Sequence, residues 1–271
     1  MITRSNAYDI VTSGDGMKDF CRLMPCPTAA ERMKDFSRID FGWLGRFGGD
    51  AEGCPGPDVF EYVASRAAAW DCPVSLHASL KEIMNNPRRD DCLAALKTWE
   101  DARQKGGLGR TQLDSLKNVR PEDAHYVRCY QQRETWRRCL ANQGLTDAQR
   151  SILADRREHH LFVNESGDYE LVEIEEIPDL CDGLVKAFCF ERTRSPGTTF
   201  VLIHALDADV RLEFSARRPP LTAMRPFGKT LPLAIAGGTT VVSVGDRQYL
   251  VFPDTTRDDV AKALRSATYS S

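Results

Sequence analysis

The apolar positions of this chain change their period about three fifths of the way along. Up to about residue 110, short apolar runs alternate with stretches in which apolar residues recur every three or four positions, the pattern of parallel βα units. Ala7-Tyr-Asp-Ile-Val-Thr-Ser13 reads as a strand ending at Gly14-Asp15-Gly16. Thr28-Ala-Ala-Glu31 has the spacing of a capping box and predicts a helix through Phe36. Ile39-Asp-Phe-Gly-Trp-Leu44 is a second strand. After it, Pro57 stands at a first-turn position, and Val59, Phe60, Val63, Ala67 and Trp70 mark a helix running to Asp71. Cys72-Pro-Val-Ser-Leu-His77 is a third strand. Pro87 then opens a helix with Cys92, Leu96 and Trp99 on one face, stopped by Gly106-Gly107.

Residues 111–158 predict a helical connector, Arg-rich, with Cys129, Trp136 and Leu140 at helical spacing. From His160 the period falls to two. Val172 and Ile174 alternate with Glu173 and Glu175, and Val210, Leu212 and Phe214 alternate with Arg211 and Glu213, as in strands with one wet face. Turn signals at Ser166-Gly-Asp168, Asp207-Ala-Asp209, Phe227-Gly228, Gly237-Gly238 and Gly245-Asp246 divide this region into roughly eight short strands, which predicts an antiparallel β-sandwich. Thr256-Arg-Asp-Asp259 caps a last helix to about Ala267. The fold class expected is therefore α/β plus all-β, with βα units over 1–110, the connector over 111–158 and a sandwich with its terminal helix over 159–271.

Composition sharpens this picture chiefly by exclusion. The chain has 271 residues, 42% of them hydrophobic, with a formal charge of -3, so it can build a core and lacks the basic excess that favours nucleic acid or an anionic membrane. The basic connector carries enough interspersed acid to read as a solvated helix. No apolar run approaches the ~18 to 20 residues that span a bilayer, and MITRSNAYDI lacks the apolar core of a signal peptide; the compartment is left open. Nine cysteines are an odd number at irregular spacing, which points to reduced thiols rather than a disulfide framework. Cys21 and Cys26, the closest pair, have no second pair to complete a zinc site, so neither metal nor cofactor is expected. The glycines of GRFGGDAEG and KGGLGRT fit neither a dinucleotide fingerprint nor a P-loop, and no G-x-S-x-G elbow occurs.

The segments YDIVTSGDG, RIDFGWLG, YVASRAAAWDCPVSLH and PRRDDCLAALKTWEDAR, followed by LVKAFCFER, TFVLIHALDADVRLEF and VGDRQYLVF, resemble the end of a (β/α)8-barrel glycoside hydrolase with its C-terminal β-sandwich, a plan shared by α-galactosidases and α-fucosidases. The resemblance lies in the order of elements, without a diagnostic catalytic motif. It implies the last three βα units of a barrel whose N-terminal segment belongs to a longer polypeptide, a carbohydrate substrate, and inactivity of the isolated chain.

Barrel enzymes assemble their sites at the C-terminal ends of strands, and glycoside hydrolysis uses two carboxyl groups. Those places offer Asp15, Asp50 and Glu52 as catalytic candidates, with Asp40, Trp43, Arg46 and His77 as substrate contacts. Each has a plainer reading. Asp15 sits in a common turn sequence, and Asp40 lies inside a strand where Arg38, Arg66 or another barrel residue would pair with it. Trp43 and His77 suit barrel packing equally, while Asp50 and Glu52 fit a solvated loop. His204 reads as structural. Two other functions remain open. In a carbohydrate-binding module without catalysis, Phe200, Phe214, Phe227 and Tyr249 would lie exposed on one sandwich face. In a complete open-sheet α/β domain, a small ligand would bind at the strand ends.

Overall fold

A computed structural model describes residues 8–10, 18, 42–44, 47, 54–69, 71–76, 78–116, 147–154, 158–164, 166–215, 218–226 and 230–270. The chain divides into two compact units, Met1–Arg156 and Arg157–Ser271. Helices and sheets are mixed, and the sheets dominate the second unit.

In the first unit, β1 (Tyr8–Ile10), β2 (Gly42–Leu44) and β3 (Ser75–Leu76) form a parallel sheet in that order, Asp9 opposite Trp43 and Trp43 opposite Ser75. Between β2 and β3 runs α1 (Pro57–Ala69), which begins at the proline the sequence marks and is buried along its whole length. Asp71, in the left-handed region at φ 52°, ends it as the amides of Asp71 and Cys72 return to Ala68 and Ala67. After β3 come α2 (Leu80–Asn85), α3 (Arg89–Lys105) and α4 (Arg110–Leu116). The third helix stops at Gly106, φ 63°, as expected. It packs on α1 through Trp99, whose Nε1 donates to Glu61 Oε1 at 3.0 Å in a buried contact. The α2 turn went unread although Ser79-Leu-Lys-Glu82 is a complete capping box: the Ser79 side chain accepts from the Glu82 amide while the Glu82 carboxylate accepts from the Ser79 amide. The predicted helix over 28–36 lies outside the described residues, and of the connector only α4 and α5 (Asp147–Ala154) are described.

Among the described residues the second unit holds eleven strands in two antiparallel sheets. Their ranges are β4 (Glu158–Val163), β5 (Tyr169–Glu176), β6 (Val185–Arg192), β7 (Ser195–Ala205), β8 (Val210–Phe214), β9 (Thr222–Met224), β10 (Thr230–Leu231), β11 (Ala234–Ala236), β12 (Thr239–Val244), β13 (Gln248–Pro253) and β14 (Thr268–Ser270). One sheet runs β10-β9-β13-β7-β6-β5-β4 and the other β11-β12-β8-β14. The helix α6 (Arg257–Ser266) is capped by Thr256, whose Oγ1 accepts from the Asp259 amide at 3.2 Å. The short β14 behind it, pairing with β8, carries no signal strong enough to read from sequence.

Period-two alternation gives the larger sheet two apolar faces. Val201 and Ile203 on β7 and Leu250 on β13 join Leu212 of β8, Val242 of β12 and Leu264 of α6 in one core that both sheets share. The intervening Phe200, Leu202 and Tyr249 belong to a second cluster on the opposite face. Leu250, fully buried between Val201 and Ala223, stands at the centre of the shared core. Leu250→Ala is expected to destabilise the protein by about 2–5 kcal/mol, read as a lower midpoint in urea at unchanged slope.

Candidate functional site

The connections that follow the three parallel strands supply a buried polar cluster. Lys18, after β1, meets Asp58 in the first turn of α1, after β2: Nζ lies 2.8 Å from Oδ2 with both side chains under 5% exposed. An ion pair at that depth is sensitive to loss of either member, because the remaining buried charge would lose its opposite charge at 2.8 Å.

Asn86, fully buried after β3, completes the arrangement. Its Nδ2 donates to the carbonyl oxygens of Phe47 at 2.8 Å and Pro55 at 3.1 Å, and its Oδ1 accepts from the Arg88 amide at 2.8 Å. One side chain thus ties both ends of the segment after β2 to the connection after β3. Phe47 is further fixed against Phe60 of α1, ring centroids 4.8 Å apart. Cys92, in the first turn of α3, points its Sγ at the Pro55 carbonyl oxygen, 3.8 Å away. Burial pushes its thiol well up, and the nearby charges of Asp58 and Asp91 add to the shift. It is held as a neutral thiol, the wrong state for a nucleophile.

Chemically, these groups brace: the Lys18 and Asp58 charges face each other, and the Asn86 amide faces backbone groups of Phe47, Pro55 and Arg88. What they brace is the stretch between Phe47 and Pro55, which in sequence carries Asp50 and Glu52. Asp15, Asp40, Arg46, Asp50, Glu52 and His77 all lie outside the described residues, and of Trp43 only the backbone, in the middle strand, is described. Lys18, Asp58 and Asn86 are not among the residues that the sequence singles out. Asp58 was visible as the acid behind a helix-opening proline, and Asn86 as the asparagine of an Asn-Pro pair, but their partners are 40, 39 and 31 residues away and leave no local signal.

Among the described residues no group of three or more His, Cys, Asp and Glu could hold a metal ion, and no helix is long and apolar enough to cross a membrane. The aromatics considered for a glycan platform are placed otherwise. Phe200, Phe214 and Tyr249 are at most 5% exposed, so they are core residues rather than an open sugar-stacking surface, while Phe227 lies outside the described residues. Phe214 lies on the dry face that alternation predicts, in the core the two sheets share, whereas Phe200 and Tyr249 lie on the opposite face of the larger sheet, where Phe162 of β4 packs on both. His204 is fully buried in β7.

No protein-family model, curated protein or solved structure matches the chain.

Asn86→Ala would leave two buried carbonyls and one amide without their partner. The expected cost is about 2–4 kcal/mol, with faster proteolytic cleavage between residues 47 and 55; unchanged stability and cleavage rate would contradict the bracing role.

Proposed function

We propose that the chain is the C-terminal portion of a glycoside hydrolase, comprising the last three βα units of a (β/α)8 barrel followed by a β-sandwich. The observation that carries this reading is the order and polarity of the first sheet. Consecutive strands pair parallel as β1-β2-β3, and the polar side chains of their connections gather beyond the strand ends. A barrel enzyme keeps its chemistry at that end of its strands. The succession of this sheet by two antiparallel sheets over a common core adds support.

In this reading Asp15, Asp50 and Glu52 contribute carboxyl groups at the cleft, and Asp40, Trp43, Arg46 and His77 contact the sugar. Asn86 and the Lys18–Asp58 pair are positioning residues for the segment that bears Asp50 and Glu52. Strands from the rest of the polypeptide supply at least part of the catalytic pair, so the chain alone does not turn over.

The test compares this chain with a polypeptide extended upstream through the preceding reading frame, on a panel of nitrophenyl glycosides. The extended polypeptide is expected to hydrolyse at least one of them and to lose 100-fold or more of that rate with Asp50→Asn or Glu52→Gln, while the chain alone is inert. Turnover by the chain alone, an upstream frame without βα units, or an inert extended polypeptide would each contradict the proposal.

A further inference from the structure

The first half of the seven-stranded sheet's last hairpin leaves the plane of the sheet. Strand β4 pairs with β5 from Glu158–Ile174 to Val163–Tyr169, but β5 pairs with β6 only through Glu175 and Glu176. In strand order β4 stands four steps from β13, about 19 Å in a flat sheet. Yet His160 Nε2 on β4 and Tyr249 Oη on β13 share a hydrogen bond of 2.6 Å, and Phe162 lies 5.2 Å from the Tyr249 ring and 6.1 Å from Phe200 of β7. The hairpin is therefore folded back over the sheet as a flap. A short backbone ladder to β6 holds its base, continued by the Ile177 amide on the Ala187 carbonyl at 2.9 Å; beyond that base the side chains of His160 and Phe162 make contacts with the sheet.

At the centre of that contact is an imidazole. His160 is 4% exposed, with the rings of Phe190 and Tyr249 at 5.8 and 5.6 Å. Titratable and charged groups come from every side: Tyr249 on β13 and Arg247 just before it, Arg192 at the end of β6 with its guanidinium 3.9 Å over the Phe162 ring, Glu170 on β5 paired to Arg192 at 2.8 Å, the Lys186–Glu176 pair, His204 on the same face of β7, and Glu158 and His159 on β4 itself.

We infer that the β4–β5 hairpin is an acid-released flap: protonation of His160 opens it from the sheet and uncovers the aromatic face beneath. A charged imidazole cannot stay among those rings at low cost, and the open flap returns it to water. Burial alone drives the closed-state value down to about 3, against an ordinary 6.5. The folded value is depressed below that of the open state, so the closed form is fully favoured above 6.5 and loses about tenfold per pH unit as pH falls from there toward 3.

Amide hydrogen exchange of the whole chain, corrected for the pH dependence of intrinsic exchange, tests this. Between pH 7.5 and 4.5 the amides of β4 are expected to lose about 100-fold in protection while those of β7 and β13 keep theirs. His160→Phe should flatten the dependence. Tyr249→Phe, which keeps the buried imidazole, and Glu170→Gln, which removes the carboxylate latch, should each lower protection of β4 without changing its slope. A pH-independent β4, equal loss across β4, β7 and β13, or an unchanged slope in His160→Phe would overturn the inference. Should His160→Phe not fold, the contrast between β4 and β7 in the unaltered protein and in Tyr249→Phe decides it.

Discussion

A parallel strand cannot turn straight back on itself, and that constraint organises the first unit. Each strand must be followed by a crossover, so its connection leaves the sheet at the C-terminal edge and the polar backbone there has to be satisfied. Three such connections meet in this chain. The Lys18–Asp58 ion pair joins the first to the second, and the Asn86 amide joins the second to the third. Burial makes these bonds selective, since in a water-poor setting a mispaired amide or charge costs far more than a surface contact yields.

The second unit solves a different problem. A sheet with two apolar faces must hide both. One is covered by the four-stranded sheet and α6. The other is covered by the sheet's own final hairpin, bent back so that Phe162 and His160 fill the space above Phe190, Phe200 and Tyr249. Arg192 finishes the rim, its guanidinium spread over Phe162 and paired with Glu170, which also accepts from the Thr193 amide. The bend explains why aromatic residues that alternate toward an outer face are nonetheless buried.

Much of the architecture was legible because its causes are local. Pro57, Gly106 and the Thr256–Asp259 cap each act within one turn of chain, and the observed helices begin or end beside them. The parallel order of the first three strands follows from the helical patterns between them. The second unit has eleven strands among its described residues against roughly eight expected, because pieces such as Thr230–Leu231 and Thr268–Ser270 are too short to show alternation. The candidate site was legible only as a location. Residues such as Asp50 and Glu52 stand out by chemistry and by their place after a strand, whereas Asn86 earns its role from carbonyls supplied by distant residues, and one-dimensional periodicity contains no record of them.

The locking of the connections after the parallel strands by buried polar contacts is probed by a double-mutant cycle on Lys18→Met and Asp58→Leu in denaturant unfolding. Each single change takes the opposite charge at 2.8 Å away from a buried ion, so a coupling of about 1.5–3 kcal/mol is expected, with the double variant more stable than either single one. Additive effects, with coupling below about 0.5 kcal/mol, would mean that the two side chains do not depend on each other. The first and second connections would then not be joined in solution by this ion pair.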